Sequence, residues 1–205
     1  MTELHIPFEE HLVPFTDGRS WDVFRHFSPS GQVPCLHHGE EVVWDSLAIV
    51  EYLAERHAQV WPTATRARTW ARSATAEMHA GFTALRDACP MAVNLRLRPH
   101  RLTPAAARDL ERLAELWAEG IERFGGPFLG GNAFGGVDAF FCPIALRVQS
   151  WHLPLPQPAM DYVQRLLALP GMQQWQQAAR TEPYREPAEE RRFAALGEIL
   201  EDLRQ

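Results

Sequence analysis

The chain has 205 residues, 46% of them hydrophobic, and a formal net charge of −6. That composition can build a packed core, and without a basic face it gives no support for nucleic-acid binding. No lysine is present, and the three cysteines, Cys35, Cys89 and Cys142, form no C-x-x-C pair, so no disulfide framework is expected and a reducing compartment fits. No apolar run approaches the roughly 18 residues of a membrane span, and the opening MTELHIPFEE has no basic segment followed by an apolar one. A cytoplasmic protein, not associated with membranes, is the expectation.

In chain order, residues 6–13 alternate weakly and can be a strand. Residues 17–31 carry Trp21, Phe24 and Phe27 on one helical side before Ser-Pro and Gly break the pattern. Residues 33–38 and 41–44 read as two strands joined at Gly39, a hairpin. Residues 45–57 open with a capping Asp or Ser and place Ile49, Val50 and Leu53 at helical spacing.

From residue 63 the signal is helical. Trp70, Ala74, Met78, Phe82, Leu85 and Cys89 recur every three or four residues, which predicts one long helix ending near Pro90. Thr103-Pro104 is a cap with a first-turn proline, and Leu110, Leu113, Trp117, Ile121 and Phe124 continue as a stripe until Gly125-Gly126. A third helix starts near Gly135, with Val137, Phe140, Phe141, Ile144 and Val148 inward. A fourth holds Met160, Val163, Leu166 and Leu167, and a short fifth follows Pro170. Glu189, Glu190, Arg191 and Arg192 form the charged start of an expected last helix, with Phe193, Leu196, Leu200 and Leu203 packing somewhere. The stretch 60–65 reads as a linker, giving a mixed α/β unit over 1–58 and an all-helical unit over 64–205.

Two dipeptides stand out. Pro34 opens a strand, where a missing N–H is tolerated. If the Val33–Pro34 bond is cis, the N–H and C=O of Val33 turn outward and can pair with an extended peptide. Asp45-Ser46 sits at a helix start, where free N–H groups and the dipole favour a carboxylate, while Asp45 can accept from an ammonium. A ligand with both groups, such as an α-amino acid, suits the pair. Taken separately, a trans proline opening a strand and an N-cap worth ~1 kcal/mol explain them more simply.

Together, G-x-V-P-x-L at 31–36 and D-S-x-x-I-x-x-Y-L at 45–53 closely resemble the glutathione-binding half of cytosolic glutathione transferases of bacterial type. The resemblance extends to the tail, ALPGMQQWQQAARTEPY at 168–184, which looks like that family's final helix. It implies a thioredoxin-like domain over 1–58 followed by a helical domain over 64–205. It also implies glutathione as co-substrate, a small electrophile as partner, no metal, and a homodimer. It assigns Val33 and Pro34 to the cysteinyl part of glutathione and Asp45 and Ser46 to its γ-glutamyl end, and it makes Met78 and Phe82 candidates for a hydrophobic-substrate site.

The sequence departs from that family's pattern in two places. The resemblance aligns residue 1 with the last turn of the first helix, so the thioredoxin-like domain reads as incomplete at its start. No Tyr, Ser or Cys is then assigned as the thiol-activating residue, and residues 6–13 would face an open sheet edge. At 134–138, FGGVD, Gly135 stands at the capping position and Asp138 can bond back to its N–H.

Cys35 is expected to point into the core and Cys89 and Cys142 to be core residues. His37 and His38 lack further partners at metal-ligand spacing. Arg25 and His26 could meet a ligand carboxylate but read as a solvated helix face. The competing readings are a non-catalytic relative that keeps the fold for binding or assembly, and a helical interaction protein in which 1–53 is only a cap.

Overall fold

A computed structural model describes residues 1–15 and 18–205. The helix expected over 17–31 begins on Asp17, which with Thr16 lies outside the described residues. Its described part holds α1 (Ser20–Phe24). Phe24 is buried against Phe15 and Phe27, with ring centroids 5.4 and 5.7 Å away, whereas Trp21 is exposed. The chain opens with one 3-10 turn at Thr2–Leu4.

Residues 6–13 do not form the expected strand. A strand exists through its ladder of hydrogen bonds, and no described segment pairs with them. The expected hairpin is present. Strand β1 (Cys35–His38) pairs antiparallel with β2 (Glu41–Trp44), from Cys35 opposite Trp44 to His38 opposite Glu41. Gly39 turns the chain at φ 62°, a conformation that glycine adopts without steric cost. Helix α2 (Ser46–Ala54) follows directly. All four residues of β1 line a cavity of about 620 Å³, walled on its other sides by residues of the 6–13 stretch and by Tyr52 and Leu53 of α2.

The stretch 60–65 is not a free connector at its start. Val60 and Trp61 are buried in the main core, and the Trp61 ring packs where a Cβ on Gly136 would stand, 3.1 Å away.

The single long helix expected from Trp70 to Cys89 is two helices, α3 (Thr65–Ala80) and α4 (Thr83–Ala88). Gly81, a weak helix former, leaves the helical region while its N–H closes α3 on the Glu77 carbonyl at 2.8 Å. Phe82 then takes a left-handed φ of 54°. The new helix start is stabilised from outside, because Asp109 Oδ2 accepts the Leu85 N–H at 2.9 Å. All six stripe residues nevertheless stay buried. Periodicity across the break therefore survives although the helix does not.

A second correction concerns the all-helical unit. Residues Leu95–Pro99 form strand β3, paired antiparallel with β4 (Gly197–Asp202) near the chain end. The last helix, α9 (Pro187–Leu196), thus stops before Leu200, which is partly exposed rather than packed inward. Leu-Arg-Leu-Arg alternates with period two, buries Leu95 and Leu97, and leaves Arg98 Nη1 to meet Glu198 Oε2 across the ladder at 2.8 Å.

The remaining helices follow the pattern. Helix α5 (Pro104–Phe124) starts where Thr103 Oγ1 accepts the Ala106 N–H at 3.1 Å and ends on left-handed Gly125. Helices α6 (Gly136–Trp151), α7 (Gln157–Leu167) and α8 (Pro170–Thr181) complete the bundle. Its centre holds Trp117 edge-on to Phe141 and Tyr162, with centroids 5.6 and 5.0 Å away. Asp138, fully buried, accepts from the N–H groups of Leu129 (3.0 Å) and Gly135 (2.9 Å) and from the Tyr162 hydroxyl (2.7 Å). It supplies half of a capping box; glycine at 135 has no side chain to supply the other half.

Candidate functional site

The hairpin register decides the site. Cys35 lies opposite Trp44 at the open end of the ladder. The residue pairs just outside it, Val33–Pro34 and Asp45–Ser46, therefore leave the hairpin at the same end. The Val33–Pro34 bond is cis, as is Gly126–Pro127. Val33 is 42% exposed and lies outside the ladder.

Asp45 adopts φ 72° and ψ 130°, an uncommon conformation for a residue with a side chain. Such conformations cost on the order of 1–3 kcal/mol and persist where the surroundings fix them. Here its carboxylate has one bonded oxygen and one that faces a histidine. Oδ1 accepts the Leu47 N–H at 2.8 Å, capping α2. Oδ2 lies 3.2 Å from His79 Nε2 on α3. Helix α2 is tied to α3 a second time, by Arg72 Nε and Nη2 on the Glu51 carboxylate at 2.9 and 2.5 Å, which holds the Arg72 pKa above its ordinary value.

Ser46 is the first residue of α2 and is half-buried. Its hydroxyl has no hydrogen-bond partner among the described residues. The first intrahelical bond runs from the Ile49 N–H to the Asp45 carbonyl, at 3.0 Å, which leaves the N–H groups of Ser46 and Ala48 without intrahelical acceptors. A hydroxyl donor, free helix-end amides and an adjacent carboxylate make one small region that can take a carboxylate and an ammonium together.

The other sequence candidates divide. Met78 and Phe82, each 6% exposed, pack in the core. Arg25 and His26 are exposed on the turn after α1, and Arg25 stacks over Trp21 at 5.5 Å. Cys35 does not turn fully into the core; it is half-buried on the cavity wall, with Sγ donating to the Phe27 carbonyl at 3.4 Å and 3.8 Å from His37 Nε2. His37 Nε2 donates to that same carbonyl at 2.8 Å, and His38 Nδ1 bonds the Tyr52 hydroxyl at 2.7 Å. Cys89 is buried and its thiol pKa is pushed up to about 12 by desolvation; Cys142 is half-buried, and desolvation pushes its thiol to about 12 as well. Among the described residues no group of three or more His, Cys, Asp and Glu could hold a metal ion, and no helix is long and apolar enough to cross a membrane.

Sequence reasoning missed the His79 contact. Asp45 and His79 lie far apart along the chain, and no local pattern links a β2–α2 junction to the last turn of α3. The one available signal was a histidine at the end of a helix, beside its buried stripe.

Residues 1–61 match the family model described as the glutathione S-transferase N-terminal domain. Two dichloromethane dehalogenases are similar over short stretches. That of Methylorubrum extorquens is 45% identical over 58 residues, 27% of this chain and 20% of the relative. That of Methylophilus leisingeri is 42% identical over 59 residues, 28% of this chain and 22% of the relative. The matched stretch thus spans about a fifth of these relatives. Among solved structures, a glutathione transferase homologue from Burkholderia, with bound glutathione, is 25% identical with a TM-score of 0.63, covering 87% of this chain and 86% of its own. A theta class glutathione S-transferase from Xanthomonas axonopodis pv. citri, with glutathione bound, is 26% identical with a TM-score of 0.54, covering 74% and 75%.

Proposed function

We infer that this member of the glutathione transferase family binds glutathione at the open end of the β1–β2 hairpin and joins its thiol to a small electrophile. One observation carries the reading: the register that sets Cys35 opposite Trp44 leaves Val33 and the Asp45–Ser46 helix start at the same end of the hairpin. The γ-glutamyl carboxylate would sit on the Ser46 hydroxyl and the α2 amides, and its ammonium on Asp45. The cysteinyl backbone would pair with the N–H and C=O of Val33, as an added strand does.

Chemistry requires the thiolate rather than the thiol, so a donor or cation must lower the thiol pKa. None of Cys35, His37 or His26 is assigned that role. The similarity to dichloromethane dehalogenases makes a dihalomethane the first electrophile to try, beside a chromogenic chloronitroarene. The expected results are retention on immobilised glutathione and release of halide or coloured conjugate in proportion to enzyme. Retention without turnover on either electrophile would favour the second reading, a non-catalytic binding or assembly protein that keeps the fold.

We further propose a two-fold homodimer with α3 and α5 along its axis. Light scattering at micromolar concentration should give twice the chain mass, and a single-chain mass would reject it.

A further inference from the structure

We propose that His79 is a positioning residue for the ammonium end of the ligand, and that its protonation weakens ligand binding. The inference rests on the reading of Asp45 as the group that meets the ammonium.

Asp45 has two carboxylate oxygens, and each has a separate task. Oδ1 is committed to the Leu47 N–H at 2.8 Å. Oδ2 is 3.2 Å from His79 Nε2, on a helix that belongs to the other part of the molecule. The imidazole is partly enclosed, and its backbone is tied. The Phe140 ring of α6 stands edge-on to it with centroids 6.0 Å apart, and Arg86 of α4 donates to the His79 carbonyl at 3.4 Å. A neutral imidazole at that distance stands against Oδ2 and leaves the carboxylate's negative charge for the ligand. A protonated imidazole neutralises that charge and places a cation beside the incoming ammonium.

The other charged groups near His79 are already engaged. Glu51 of α2 holds Arg72 at 2.9 and 2.5 Å, and Glu77 on α3 holds Arg112 of α5 at 2.7 and 3.0 Å. On α6, Asp138 is spent on Leu129, Gly135 and Tyr162. Arg86, which donates to the His79 carbonyl, keeps its charge in the range where histidine titrates. Histidine alone among unperturbed side chains changes charge between about pH 5 and 8. Ligand affinity should therefore fall with pH through that range, and His79 should carry the fall.

The test is calorimetric titration of the full chain with glutathione at about pH 7.5 and about pH 5.5, for wild type, H79Q, H79F and D45A. Wild type should weaken about fivefold or more on acidification, the lower end of ordinary coupling between two sites. H79Q puts a neutral polar group there that cannot titrate, so its affinity should be flat across the two pH values apart from any titration of glutathione itself. H79F, which sets an apolar ring against Oδ2, should bind more weakly than H79Q at about pH 7.5. Saturating glutathione should also lower the His79 titration midpoint seen by NMR, by the same factor, since coupling is reciprocal. A wild-type profile as flat as that of H79Q, or an H79Q profile as steep as wild type, overturns the role of His79 while leaving the site intact. D45A binding as tightly as wild type, or no glutathione binding by wild type at either pH, overturns the site reading and this inference with it.

Discussion

Asp138 Oδ1 accepts two buried hydrogen bonds at once, from the Tyr162 hydroxyl at 2.7 Å and from the Leu129 N–H at 3.0 Å. Through them α6, α7 and the loop after α5 share one carboxylate. Desolvation pushes its pKa up to about 6, against the opposing pull of those donors. Asp138→Ala leaves three buried donors without an acceptor and should cost about 2–4 kcal/mol, seen as a lowered urea midpoint.

The same group sets a pH dependence. Its folded pKa, about 6, lies above the ordinary 3.8, so between those values the folded chain holds the extra proton. The contribution is complete below about pH 4 and is lost as pH rises through about 6. Measured against Asp138→Asn, which cannot titrate, wild type should lose stability over that window by a few kcal/mol, since each tenfold difference in proton affinity between the folded and unfolded chain is worth about 1.4 kcal/mol. Parallel curves for the two proteins would contradict the assignment.

Gly120 illustrates a close approach that helix propensity alone would get wrong. A Cβ there would stand 2.4 Å from the Trp70 ring and 3.0 Å from the Leu129 carbonyl. The ring cannot swing away, because its Nε1 donates to Glu119 at 3.0 Å. Gly120→Ala should therefore destabilise by about 1–3 kcal/mol in chemical denaturation, although alanine is the better helix former. A stabilised variant would show that α3 and α5 are packed less tightly than described.

Gly197 plays the corresponding part for β4. A Cβ there would stand 2.7 Å from both the Arg98 carbonyl and the Trp151 ring. Gly197→Ala should loosen β4 from β3 and speed hydrogen exchange at the amides of residues 95–98, leaving α5 protected. Unchanged exchange would mean that the pair is held elsewhere.

Legibility in the sequence followed the range of the interactions. The hairpin, the Asp45 cap, the Thr103 cap and the Gly125 stop are local devices, and they stand where the pattern puts them. The break at Gly81–Phe82 was hidden because the apolar stripe runs on through it, and the carboxylate that caps α4 comes from Asp109, on a later helix. Strand β3 was announced by Leu95-Arg96-Leu97-Arg98, a period-two signal overlooked inside a region that otherwise reads as helical. Strand β4 gave less warning, since its partner lies about a hundred residues earlier. Val33, Pro34, Asp45 and Ser46 became candidates through the family resemblance of their motifs, whereas His79 reaches Asp45 only through the packing of α3 on α2.

The most direct test of the central claim is the affinity for glutathione of Ser46→Ala beside wild type, by calorimetry at fixed pH. A site built on the Ser46 hydroxyl and the Asp45 carboxylate predicts a loss of about 1–2 kcal/mol, the scale of a hydrogen bond to a charged group, with Asp45→Ala losing at least as much. Both variants binding as tightly as wild type, with their circular dichroism unchanged, would contradict it.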